Sequence, residues 1–371
     1  MHAPVVTRQA RHVDAAAVAT FTSDTWGEKH GDYIPHVFEE WVATDGPTQR
    51  TFVATLPLAD ARSALGGDDG DTEAGDGIDS DAIVEGDGTG AAAPGDPEVV
   101  VGCVQCVLLS DWEAWGQGIR VASAARGLGV SERLSEAVFG WAREAGAAVC
   151  RNMVFSWNVA GLGQSRSVGF GPATEFRFAM PTPNAEATPA ADRAADLTVA
   201  AEVTDVSPAP APDPNAAWSF WTDSDARDHL RGLSMDAEES WACSELTREE
   251  VAAAADDDRL ITVRDDGVAA MTYRSYVRDG ENDAGESVTR AIYGVAAWRD
   301  VDAAAALYAA VARDAAAVGA DETRVFIPET VAAVSDTAAT RTRVADEPDF
   351  VLAADLTDPA VVGDSLDVLD D

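Results

Sequence analysis

Between a strand-like run ending Ile119-Arg120-Val121 and a helix-like run beginning near Ser131 lies Arg126-Gly127-Leu128-Gly129-Val130-Ser131, the segment that most constrains the fold. Glycine lets a backbone approach a bulky ligand closely. The first N–H groups of a helix have no partner inside it and favour an anion in front of them. Strand, glycine turn and helix in that order predict a layered α/β unit with a cradle for a phosphate-bearing ligand.

The chain has 371 residues, room for two units that each bury a core. It carries 65 acids against 26 bases, a formal charge of -39, and Lys29 is its one lysine. So negative a surface argues against general nucleic-acid or anionic-membrane binding. Rich in Asp, Ala and Gly, it looks like the surface of a protein from a salt-accumulating halophile, where salt screens self-repulsion. No run approaches the roughly 18 apolar residues of a spanning helix, and the N-terminus lacks signal-peptide features, so a soluble cytoplasmic protein is expected. Cys103 and Cys106 lie in an apolar run that, as a strand, points them to opposite faces, and no second Cys-x-x-Cys follows. With Cys150 and Cys243 they read as reduced core thiols, and no metal site is expected.

Residues 66–98 hold eleven acids, nine glycines and no base, so they predict an unfolded insertion in a hairpin between strands at Thr51–Leu56 and Val99–Leu109. Seven prolines from Pro181 to Pro214 mark an interdomain linker over 181–216, though Leu197–Val203 also fits the first strand of the second unit. The expected division is therefore 1–180, 217–358 and an acidic tail, 359–371. In the first unit Val6–Arg8 reads as a strand, Asp14 as the cap of a helix through Val18 and Phe21, and Pro35–Trp41 as helix. A strand near Gly118–Ser123, a helix with Leu134, Val138, Trp141 and Ala145 on one face, and a strand over Val149–Trp157 follow. The second unit repeats this faintly, with strands at Arg259–Val263, Val268–Tyr276, Arg324–Ile327 and Phe350–Leu356 and a helix over 303–318.

From Ile119 to Phe170 six arginines face three glutamates and no aspartate, a local excess of three positive charges. Such an island suits a site for a polyanion that the remaining surface repels, unless the arginines simply pair with neighbouring acids.

Arg126 and Gly129, with Ser131 where Gly or Ala is usual, resemble the Arg/Gln-x-x-Gly-x-Gly/Ala loop of the GNAT acetyltransferases. Asn158 and, eleven residues on, Gly169-Phe170 are similar to that family's next motifs. Gly31-Asp32-Tyr33-Ile34-Pro35, Phe38, Trp41, Arg50 and Gly118-Ile119-Arg120-Val121 resemble the histidine N-acetyltransferase branch. The resemblance covers residues 5 to about 180. It implies a mixed α+β GNAT fold: a mostly antiparallel central sheet with one splayed strand pair, flanked by helices and followed by a second, degenerate GNAT-like domain.

It also implies direct transfer of an acetyl group from acetyl-CoA to a primary amine of a small molecule, an amino acid such as histidine among the candidates. Backbone groups beside Val121 would hold the acetyl carbonyl. Residues Arg126, Gly127, Leu128, Gly129, Val130 and Ser131 would hold the pyrophosphate, with Asn158 assisting. The family often places a tyrosine acid seven residues after the asparagine; here that position is Ser165, so Tyr33 is the substitute acid. Glu113 and Asp111 are the nearest acids for a base, and His30 and His36 flank the acceptor segment. A serine at the acid position leaves a second reading open, an acetyl-CoA sensor without turnover.

Overall fold

The apolar run after the acidic insertion becomes the strand around which the N-terminal half packs. In the computed structural model, which describes residues 5–22, 32–65, 78–189, 198–200, 203–204, 207–208, 211–281 and 285–362, every position from 98 to 107 of that strand is buried. Lys29, His30, Gly31 and Trp26 lie outside the described residues.

Two units partition the chain discontinuously: Met1–Asn152, Ala160–Gly171 and Ala353–Asp371 form the first, Met153–Val159 and Pro172–Leu352 the second. The first unit is built from β1 (Val6–Gln9), α1 (Ala15–Thr22), α2 (Ile34–Thr44), β2 (Gln49–Pro57), α3 (Leu58–Leu65), β3 (Ile83–Glu85), β4 (Pro97–Leu108), β5 (Glu113–Val121), α4 (Val130–Glu144), β6 (Val149–Phe155, its residues from Met153 counted with the second unit) and α5 (Val159–Ser167). Its strands run β1-β2-β4-β5-β6, with β3 also on β4. All neighbours are antiparallel except β5 and β6.

On one face Ala17, Val18, Ile34 and Phe38 of the first two helices cover Val53, Val100 and Cys103. On the other, Gly102 admits α4 closely: a Cβ there would stand 2.8 Å from Val130 and 3.0 Å from Leu134. The buried stripe of α4 is Val130, Leu134, Val138, Phe139 and Ala142, with Trp141 half-buried and Ala145 exposed. All four cysteines are buried and unbridged.

Part of the acidic insertion is folded, contrary to its composition. Residues 66–77 lie outside the described residues, but Ile83–Glu85 pairs with Val99–Pro97, and Val84 joins the core. The decisive residue is Glu98, fully buried because Arg8 Nε donates to it at 2.9 Å. Asp14 does more than cap a helix. It sits in a 3-10 turn, buried, and receives both terminal nitrogens of Arg8 at 2.7 Å and the Arg11 N–H at 2.7 Å. A buried ion pair holds only when such hydrogen bonds replace water.

The second unit contains β7 (Gly171–Met180), β8 (Thr198–Ala200), a small hairpin of β9 (Val203–Thr204) and β10 (Ser207–Pro208), α6 (Pro214–Thr222), α7 (Asp225–His229), β11 (Leu233–Met235), β12 (Cys243–Glu245), α8 (Arg248–Asp256), β13 (Leu260–Arg264), β14 (Val268–Glu281), β15 (Ser287–Trp298), α9 (Val301–Ala317), β16 (Glu322–Pro328), α10 (Val331–Ala339) and β17 (Arg343–Val344). The final elements are β18 (Asp349–Asp355) and α11 (Pro359–Val362). Strand order is β7-β16-β15-β14-β13-β8, with β17 also on β7, and the β15/β16 pair alone is parallel. Alanine-rich α9 lies buried against Val325, Ile327 and Ala179.

The units therefore divide elsewhere than at 180 and 217. Thr198–Ala200, within the proline-rich stretch, pairs with β13 and is part of the second sheet. The largest element that sequence periodicity does not reveal is β15. It is buried from Arg290 to Ala297 with small residues on both faces, so neither the alternation of a half-buried strand nor a helical stripe marks it.

Candidate active site

The glycine turn folds as a launching point for α4. Ser123–Ala125 makes a 3-10 turn, after which Gly127 (φ 82°) and Gly129 (φ 79°) both take left-handed backbone that other residues adopt at a cost. Gly129 is the N-cap, and no side chain caps the helix. A Cβ at Gly127 would meet nothing within 4 Å, so that side of the loop is open. Arg126 is exposed and forms no ion pair among the described residues. Uncapped N–H groups, the positive end of a fifteen-residue helix and the exposed Arg126 guanidinium are suited to an anion such as phosphate. Glu132, in the first turn, is the one charge opposing it.

The strand before this loop is irregular. Pairing of β5 with β6 covers only Glu113↔Val149, Ala114↔Cys150 and Trp115↔Arg151, and the strands part beyond. On the other edge the register with β4 slips between Cys103↔Arg120 and Gln105↔Gln117, so Gly118 and Ile119 stand opposite Val104 alone. Gly118, at φ 64°, is the left-handed residue that makes this bulge. A side chain there would run into Trp41 at 2.5 Å and Ile34 at 2.8 Å. Val121 closes the strand, and the next N–H, of Ala122, returns to Val101 O at 2.9 Å.

Where β5 and β6 part there is a cavity of about 30 Å³ lined by Gly116, Gln117, Ile119, Val138, Asn152 and Phe170 among others. Phe170 is buried edge-on against Phe139 at 5.1 Å, and the preceding Gly169 turns the chain at φ 106°. Asn152 went unnoticed in the sequence; the available signal was one amide in an apolar strand. Its Nδ2 donates to Ser165 Oγ at 3.0 Å, while its Oδ1 is buried with no hydrogen-bond partner among the described residues. Such an atom costs about 1–3 kcal/mol unless a ligand supplies a donor.

The remaining sequence candidates fall in different places. Ser165 is 2 % exposed on α5, beside this cavity's Asn152. Asn158 is half-buried ahead of α5, its N–H donating to Phe155 O at 2.9 Å. Tyr33 is exposed and packs edge-on to Trp41, with the Arg120 guanidinium 5.8 Å from its ring. Asp32 holds Arg120 by two bonds of 2.6 and 3.0 Å and also accepts the Ile34 N–H, tying the acceptor segment to β5.

Glu113, the candidate base, is a strand residue. It starts β5, eight residues and about 26 Å of strand from Val121, and is buried in an ion pair with Arg151 and a hydrogen bond from Ser110. Asp111 and His36 are exposed. The arginine island is partly internal bookkeeping: Arg120, Arg133 and Arg151 pair with Asp32, Glu136 and Glu113.

The second unit has the same strand–helix–strand order at β15, α9 and β16 but no cradle. Asp300 is the N-cap of α9, its side chain accepting the Ala303 N–H at 2.9 Å. A carboxylate at that position already satisfies the helix end and repels phosphate. No cluster of three potential metal ligands occurs, and no helix is long and apolar enough to cross a membrane, among the described residues.

Residues 67–163, which span the bulged strand, the glycine turn and α4, match the model of the acetyltransferase (GNAT) family. No curated protein matches the chain. Among solved structures, the GCN5-related glucosamine N-acetyltransferase region of a fungal multi-domain GH3 β-N-acetylglucosaminidase is similar at TM-score 0.52 and 12% identity, covering 95% of this chain and 38% of that one. A GCN5-related N-acetyltransferase from Sphaerobacter thermophilus has TM-score 0.49 and 11% identity over 95% of this chain and 96% of its own. A putative acetyltransferase from Thermoplasma acidophilum has 0.45 and 14% over 94% and 99%. With its mostly antiparallel sheet, splayed parallel pair and glycine-initiated helix, the chain has the mixed α/β GNAT fold, and its residues 67–163 are similar to the GNAT acetyltransferases.

Proposed function

We propose that the first unit transfers the acetyl group of acetyl-CoA directly to the primary amine of a small molecule, an amino acid such as histidine among the candidates. The observation that carries this reading is the uncapped start of α4, with Gly127 and Gly129 in left-handed backbone, next to the cavity where β5 leaves β6. Arg126 and the N–H groups from Gly127 to Ser131 hold the pyrophosphate, backbone groups beside Val121 hold the acetyl carbonyl, and Asn158, at the position of the family's asparagine, is assigned to cofactor binding. Acetyl-CoA supplies the activated thioester when bound.

In the transfer the amine nitrogen forms a C–N bond as the C–S bond breaks; one proton leaves the amine and one reaches the departing sulfur. Backbone N–H groups at the Gly118–Ile119 bulge are suited to developing charge on the carbonyl oxygen. Ser165, its oxygen already accepting from Asn152, keeps its own hydrogen for donation towards the sulfur. A serine hydroxyl is a weaker acid than the phenol of Tyr33, whose ordinary pKa is about 10. That weakness favours a second reading, an acetyl-CoA sensor.

The test is calorimetric titration of acetyl-CoA in molar KCl, followed by assay of free-thiol release with histidine and a panel of amines. Binding with turnover on a small amine supports transfer. Binding without turnover on any amine supports the sensor, and no binding overturns both. If Ser165 is the proton donor, Ser165→Ala lowers kcat by about 10²–10³-fold with acetyl-CoA affinity little changed; an unaltered kcat assigns the proton to solvent or to Tyr33.

A further inference from the structure

The second unit carries a group of side chains that its packing does not account for. Arg324, half-buried on β16, forms neither ion pair nor hydrogen bond among the described residues. Its guanidinium lies 4.6 Å from the centre of the Trp241 ring and 5.4 Å from that of Phe178. Arg278 stands 6.0 Å from the same tryptophan and 5.8 Å from Tyr276, and among the described residues its side chain donates to Ser240 Oγ and not to an acid. In a chain with 65 acids, two neighbouring guanidiniums without a carboxylate partner are unexpected. Burial and the nearby charges of Arg290 and Arg278 push Arg324 down to about 10, a sign of uncompensated positive charge.

Trp241 is the second anomaly. It lies between β11 and β12 at φ 66°, a conformation that a bulky side chain adopts only when its surroundings impose it. The bonds from Asp236 N to Ala242 O (2.9 Å) and from Ala242 N to Glu239 O (3.3 Å) hold the turn. Phe155 and Phe178 meet the ring edge-on at 6.4 and 5.9 Å. The strained turn thus lays an aromatic plate over the two arginines. Asp349 is close enough to be felt by Arg324 but forms no ion pair with it, and burial pushes its carboxyl up to about 7.

We propose that Trp241, Arg278 and Arg324 form a binding site in the second unit for the carboxylate group of a small molecule with an apolar or aromatic body. With aromatic rings against it, the Arg324 guanidinium offers its edge, whose paired N–H groups match a planar carboxylate bidentately. Trp241 and Phe155 supply the surface for the body. The site shares no residue with the acetyl-CoA cradle and makes the second unit a receptor.

Calorimetry on the full chain with phenylacetate, phenylacetamide and inorganic phosphate tests this. Phenylacetate should bind at least tenfold more tightly than the neutral amide. Arg324→Lys, which keeps the charge but loses the fork, should weaken it at least tenfold, since a charge-assisted bond contributes about 1.5–3 kcal/mol. Arg278→Gln, at a half-buried position, should also weaken it, which covers the case in which the Arg324 variant misfolds. Gly129→Val should leave phenylacetate affinity unchanged. Equal binding of acid and amide, tighter binding of phosphate, no binding at all, or affinity indifferent to both arginine variants would each overturn the assignment.

Discussion

Gly129→Val is expected to reduce acetyl-CoA affinity by about 10²–10⁴-fold while the chain still folds. Gly129 sits at φ 79°, where a β-branched residue costs about 1–3 kcal/mol, so the loop relaxes towards negative φ. Relaxation swings the N–H groups that open α4 away from the pyrophosphate, and losing two charge-assisted bonds at about 1.5–3 kcal/mol each gives that range. Packing suffers little, because a Cβ at this position meets only the end of Glu132, at 3.5 Å. Calorimetry with acetyl-CoA, alongside a thermal melt, checks both halves. Undiminished affinity would refute the placement of the pyrophosphate; the second unit is no alternative cradle, because Asp300 occupies its helix start.

Arg8→Met should destabilise the first unit by about 3–5 kcal/mol, a large fraction of a domain's total stability. Arg8 has 1 % of its side chain exposed, and Asp14 and Glu98 have none. Removing the cation leaves two buried carboxylates with only Arg11, at 3.5 and 3.4 Å, to balance them. The loss would appear as a lower urea midpoint for the transition of the first unit. Adding Asp14→Asn and Glu98→Gln should recover much of it, since the penalty is mainly uncompensated charge. A change below about 1 kcal/mol would show that water reaches the cluster.

Glu98 also shows where local composition misleads. Eleven acids in 66–98 predict a segment unable to fold, and for an isolated peptide that physics holds. The buried acid is nonetheless favourable because Arg8, 90 residues away, meets it, and Ile83–Glu85 then adds a strand beside it. Likewise Glu113, a candidate base in the sequence, is a buried strand residue paired with Arg151. The strand β15 stayed hidden because its small residues are buried on both faces.

What the sequence determined by itself is whatever short-range geometry enforces. Two glycines in left-handed backbone, followed by an amphipathic helix, define the uncapped start of α4. Gly169-Phe170 likewise turns the chain and plants a ring. Only the tertiary structure decided which charges are free. Arg120 is taken by Asp32 from 88 residues away and Arg126 is not; Asn152 gives its amide to Ser165 and keeps an unpartnered oxygen; Arg324 has an indole where an acid would be expected. Pairing of side chains distant in sequence depends on sheet register and burial, and neither is encoded at the positions that meet.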